Sequence, residues 1–132
     1  MMGGGADYRD EARLEHMMRA IIGRIRAQLN GLDRTMLAEG DDRTELIIYN
    51  MQVFGEAANN VSEEMCTKHP EVDFKGWASM RHRLVHDYAN IDLNIVWNAV
   101  CDDLPKLEKA LKPIVDALPK VPSAPENLND FL

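Results

Sequence analysis

The chain has 132 residues, enough for one packed domain and too few to expect two. Its 15 Lys and Arg against 22 Asp and Glu leave a formal net charge of -7, a balance that opposes tight non-specific attachment to nucleic acid or anionic membrane. A phosphate-bearing partner therefore has to be met by a local basic patch.

In chain order, the opening MMGGGADYRD lacks the apolar core of a signal peptide, and no later run approaches the ~20 apolar residues of a membrane span. A cytoplasmic protein with no membrane segment is expected. Residues 1–8, with the Gly3 to Gly5 run, read as a flexible lead-in. Leu14, Met18, Ile21, Ile25 and Leu29 then fall at alternating steps of four and three, one face of a helix that Asn30 and Gly31 stop. Asp42 followed by Glu45 is a capping-box-like start. Behind it Ile47, Met51, Phe54, Ala58, Val61 and Met65 predict a second long helix, ending at Lys68, His69 and Pro70 because proline disfavours helical geometry in the residue before it.

Asp73 is placed to cap a third helix carrying Phe74, Trp77, Met80 and Leu84, and Asp92 to cap a fourth. The fourth has an apolar stripe from Leu93 to Leu118, interrupted by Pro105 and Pro113; each removes a backbone donor, so two or three segments are expected. No alternating β-branched run with hairpin signals occurs. The expected fold is all-α, an antiparallel bundle of four to five helices over residues 9–118, followed by a Pro-rich tail over 119–132. Cys66 and Cys101 are isolated, without CxxC spacing, and read as buried reduced thiols with no chemistry.

The basic patch is MRHRLVHDY, residues 80–88. From Phe74 to His86 there is no acidic residue, while Lys75, Arg81 and Arg83 fall inside that window. Imidazole moves protons near neutral pH, and a guanidinium binds phosphate bidentately and stabilises added negative charge. His86 and Arg81 suit those two roles. A structural alternative stays open, with Arg81 bound to an Asp or Glu of a neighbouring helix and His86 packed at an interface. Tyr88 taken alone would more often be a core aromatic. His82 and His86, four apart, have a spacing used for metal ligands, but His16 and His69 belong to other segments and no HExxH pattern exists, so no metal is expected. At about 100° per residue, His86 points roughly 140° away from Arg81, so one straight helix does not converge the two.

Arg81, four residues, His86, one residue, Tyr88 resembles the arginine-histidine-tyrosine pattern of the HEPN superfamily, in the form carried by HepT toxins. The similarity extends through MRHRLVHDYANIDLNIVWNAVCDDLPKL, VFGEAANNVSEE and HPEVDFKGW, covering roughly residues 9 to 115. His82 stands where the family usually has Asn, and Tyr49 where an arginine is common. The resemblance implies a metal-independent endoribonuclease without a cofactor, the toxin of a type VII toxin-antitoxin pair. Its implied partners are RNA, a second copy in a homodimer whose motifs share one cleft, and an MNT-type nucleotidyltransferase antitoxin that moves AMP from ATP onto Tyr88. Arg81 and His86 would be catalytic, and His82, Arg83 and Lys75 are candidate RNA contacts. The alternative is a bundle that no longer cuts and serves as a docking or substrate-binding subunit of a nucleotidyltransferase.

Overall fold

Short polar side chains that accept backbone N–H groups set where most of the helices begin. Asp41 accepts from the Thr44 amide at 3.0 Å, Ser62 from Met65 at 3.1 Å, Asp73 from Gly76 at 2.9 Å and Asp92 from Asn94 at 2.9 Å. The amide and hydroxyl of Thr44 also hold the Asp41 carboxyl below its ordinary range. The computed structural model describes residues 3–86 and 90–118, with side chains from Asp10 onward. Its described residues form five helices and no strand, an all-α bundle as expected.

Helix α1 spans 3–29 and is built from Gly3–His16, a π turn at Met17–Ile22 and Gly23–Leu29. Helix α2 is Asp42–Asn59, α3 is Glu63–Lys68 and α4 is Phe74–His86. Helix α5 spans 93–116, again with a π turn, Ala99–Asp103, between Leu93–Asn98 and Leu104–Asp116. Helix α1 stops where Asn30 leaves helical geometry and Gly31 takes a φ of 75°, the region that favours glycine.

Five details differ from the sequence reading. The backbone is helical from Gly3, inside the expected lead-in; once the turn from Asp10 to Leu14 is fixed, propagation adds residues without a new nucleus. The α2 cap is Asp41 rather than Asp42, which sits in the first turn where its charge favours the helix N-terminus. In α1 Met17 is fully buried and Met18 only partly, so the buried face steps from Leu14 by three rather than four before Ile21 and Ile25 continue it. The long helix expected over 42–68 divides into α2 and α3, because the Ser62 amide and hydroxyl go to the buried Asp10 carboxylate at 3.0 and 2.5 Å instead of joining a helical ladder. Val61 and Met65 stay buried across that break. Finally, Pro105 and Pro113 do not divide α5. Pro105 follows the π turn, where the hydrogen-bond pattern is already changing, and exposed Pro113 is carried within the continuing helix.

Packing places α1 between α2 and α5, its π turn touching both, while α4 lies antiparallel on α2 in the most extensive helix pairing of the bundle. Leu14, Ile21 and Ile25 of α1 meet Ile47 and Met51 of α2 and Leu111 of α5 in one core. Phe54 is fully buried and meets Trp77 edge to face, ring centroids 5.3 Å apart, a contact adding about 0.5–1.5 kcal/mol beyond burial. Arg26 pairs with Glu108 across α1 and α5. Among the described residues no helix is long and apolar enough to cross a membrane. The α2–α4 pair carries the basic patch, and its spacing shapes the site.

Candidate functional site

Glycine at position 55 brings α2 and α4 together at the start of the patch. A Cβ built there would lie 2.3 Å from Cβ of Arg81 and 2.8 Å from the Trp77 carbonyl oxygen, well inside the ~3.5–4.0 Å of a normal carbon contact. Only a residue without a side chain lets the helices sit this close. The stem of Arg81 is pressed against α2 by this approach. Its head group emerges beside the next α2 residue, with Nε 3.0 Å from Oε1 of Glu56. Arg81 is 36% exposed and Glu56 50%, so the pair lies at the rim of the α2–α4 seam rather than in the core.

His82 and His86 are both exposed on α4. Their rings are in contact, with centroids 4.1 Å apart and planes tilted by 46°. The one-turn spacing read from the sequence thus becomes a real pair of imidazoles, and His86 turns away from Arg81 as helical geometry requires. Among the described residues no group of three or more His, Cys, Asp or Glu is arranged to hold a metal ion.

The other candidates separate. Lys75 pairs with Glu63 of α3 at 3.2 Å, and six residues of helix place it about 9 Å along the axis from Arg81. Arg83 is exposed on another face of α4, lining a small cleft of about 70 Å³ with Leu84, Asn90, Asp92 and Ile95. Tyr88 lies outside the described residues. The structure therefore brings His82 and His86 into contact on α4, holds Arg81 beside Glu56 at the α2–α4 seam and pairs Lys75 with Glu63 of α3.

Large apolar side chains are also exposed on α2 and α4. Leu46 and Tyr49 of α2 and Val85 of α4 are 48%, 59% and 42% exposed. Leu46, Tyr49, half-buried Val53 and Glu56 follow one another at steps of three and four along one stripe of α2. Val85 stands about 40° round α4 from Arg81. Roomier clefts of about 310 and 350 Å³ lie elsewhere, and neither is lined by Arg81, His82 or His86. The two thiols are free and half-buried rather than fully buried, and burial is the main cause pushing both above their ordinary pKa. That suppresses the reactive thiolate.

Glu56 and Gly55 escaped the sequence reading of the site. The available signal was a glycine inside an amphipathic helix, next to Phe54, since such a residue usually marks a close approach.

Comparison with known proteins adds a lineage to this geometry. The model of the family described as Ribonuclease HepT-like matches residues 18–114. "Putative RNase TTE0752" of Caldanaerobacter subterraneus subsp. tengcongensis is 33% identical over 72 residues, 54% of this chain and 64% of that protein. "Putative RNase MJ0127" of Methanocaldococcus jannaschii is 34% identical over 76 residues, 57% of this chain and 63% of its own length. "Probable ribonuclease HepT" of Thermococcus cleftensis is 32% identical over 69 residues, 52% and 63% of the two chains. These matches span a little under two thirds of each relative's length. No solved structure matches the chain significantly.

Proposed function

Because the chain belongs to the Ribonuclease HepT-like family, we propose that it is an endoribonuclease that cuts RNA with Arg81 and His86 and serves as the toxin of a toxin-antitoxin pair. One observation carries the reading. Arg81, His82 and His86 reach the surface at the end of a helix that contains no acidic residue, on an otherwise acidic chain. In the proposed reaction the ribose 2′-oxygen bonds to phosphorus as its proton passes to an imidazole, and the P–O5′ bond breaks. The departing oxygen then takes a proton. His86 supplies the proton transfers, and Arg81 opposes the charge that builds on the phosphoryl oxygens. The proposed steps call on these side chains and on no metal.

Since Arg81 and His86 diverge on α4, the reading places the working site in a homodimer. Leu46, Tyr49 and Val85 supply an exposed apolar border around the motif, and a two-fold interface over it would set two motifs in one groove and double the local positive charge. The partner in regulation is an MNT-type nucleotidyltransferase that transfers AMP from ATP to Tyr88. Each AMP brings a phosphodiester charge and a bulky nucleoside, which block the groove by occupying it.

The second reading takes Arg81, paired with Glu56, as a structural cation and the bundle as a docking subunit of a nucleotidyltransferase. Expression with purified-protein assays decides between them. His86→Ala should lose about 10²- to 10⁴-fold in RNA cleavage and Arg81→Ala about 10²- to 10³-fold; a wild-type protein that cuts no RNA supports the docking subunit, and cleavage unchanged in both variants rejects Arg81 and His86 as the cutting pair. Tyr88→Phe should still cut RNA yet resist neutralisation, and intact-mass spectrometry of the co-expressed pair should show AMP-sized additions on wild type alone. Wild type neutralised without added mass would leave inhibition by complex formation.

A further inference from the structure

We propose that Glu56 is a positioning residue for Arg81, holding the guanidinium from the Nε side so that its terminal nitrogens are left to meet a phosphate. The inference rests on the ribonuclease reading and deepens it. Two neighbouring residues of α2 act on one arginine. Gly55 lets the α2 backbone close on the stem, since a Cβ there would lie 2.3 Å from Cβ and 3.2 Å from Cγ of Arg81. Glu56 meets the head, Oε1 lying 3.0 Å from Nε. Between those two contacts the long side chain has little freedom left. That counts, since an unrestrained arginine has many rotamers to lose on meeting its substrate.

The chemistry of the contact argues against a purely structural role. Ion pairs between half-exposed groups contribute little to stability, because water screens them and both side chains are immobilised. Glu56 is also the ion-pair partner of Arg81 among the described residues, and the contact uses the edge of the guanidinium that bears Nε. The opposite edge, formed by the two terminal nitrogens, has the fork geometry that matches two phosphoryl oxygens. A carboxylate on Nε and a phosphate on the other edge are compatible. The carboxylate sets the plane of the fork before RNA arrives, so less orientation has to be gained in the transition state.

The test compares wild type, Glu56→Ala, Glu56→Gln and Arg81→Ala on a single-stranded RNA oligonucleotide, with kcat and KM read separately. Glu56→Ala should lower kcat roughly tenfold, short of the ~10²-fold that a 1 Å misplacement can cost, with KM little changed. Glu56→Gln keeps an oxygen facing Nε and should recover most of the loss. A Glu56→Ala protein with lower KM and undiminished kcat would overturn the proposal, since Glu56 would then be a competitor of the phosphate. A second measurement does not need cleavage. In ¹⁵N-resolved NMR of the full chain, the Nε–Hε signal of Arg81, assigned by its loss in Arg81→Ala, should exchange with water several-fold faster in Glu56→Ala than in wild type. Equal exchange rates overturn the positioning role. Faster exchange in a protein that cuts no RNA upholds the contact and rejects the ribonuclease reading instead.

Discussion

Asp10 fastens the corner between α2 and α3 from inside the bundle, whereas Glu56 steadies Arg81 at its rim. Both are carboxylates reaching from one helix to another. Asp10 is 1% exposed and takes the amide and hydroxyl of Ser62, with Arg13 at 3.7 Å as an additional cation. Without it, the half-buried donors of Ser62 would lose their acceptor. Glu56 is half exposed, and water can take over most of what it does for stability. The difference teaches that burial, more than chemical type, decides whether a carboxylate holds the fold or serves a site.

The largest expected effect is at this corner. Asp10→Ala should lower unfolding stability by about 1–3 kcal/mol, because the half-buried donors of Ser62 lose their acceptor, and urea unfolding should show a lower midpoint with an unchanged slope. Asp10→Asn keeps one accepting oxygen and should lose less. Its RNA cleavage per folded molecule should equal that of wild type; a selective loss of activity would erase the contrast. Next comes Gly55→Ala. In an open helix this change gains up to ~1 kcal/mol, but overpacking against Arg81 and Trp77 costs about 1–3 kcal/mol, so a net loss of up to about 2 kcal/mol is expected by the same measurement. A stabilised Gly55→Ala protein would show that α2 and α4 do not approach as described. The smallest change in stability belongs to Glu56→Ala, about 0–1 kcal/mol, within an otherwise unaltered unfolding transition. A loss as large as that of Asp10→Ala would make Glu56 a structural residue.

Much of the bundle was legible because helical periodicity is written directly in the residues that become the core. Ile47, Met51, Phe54 and Ala58 are all buried as their spacing requires, as are Phe74, Trp77 and Leu84. Asp73 and Asp92 cap where expected, since a carboxylate just before an apolar repeat has few other uses. What was not legible depends on partners far away in the chain. Ser62 breaks the expected helix only because Asp10, 52 residues earlier, takes its amide. Lys75 reads as part of the basic patch by proximity in sequence, but helical rotation delivers it to Glu63. In the candidate site, the contact of His82 with His86 follows from their spacing, while the Arg81–Glu56 contact needs the antiparallel register of α2 and α4 to be known. Met17 in place of Met18 was not legible because both lie within one helical step of Leu14 and Ile21, and composition does not choose between two adjacent methionines.

Those π turns have a consequence for how the chain tolerates change in length. An α-helix advances about 100° per residue, so deleting one residue rotates everything that follows and drives half of a buried stripe to the surface. A π turn holds one residue more than the α-helical turn it replaces. A single deletion within Met17–Ile22 or Ala99–Asp103 can therefore be absorbed by reversion to ordinary α-helix, leaving the flanking segments in phase with their partners. The same deletion within Ile47–Phe54 has no such reserve and throws the α2 face that meets α4 out of register. Helices α1 and α5 thus carry a built-in allowance of one residue each, and α2, which sets the spacing around Arg81, carries none.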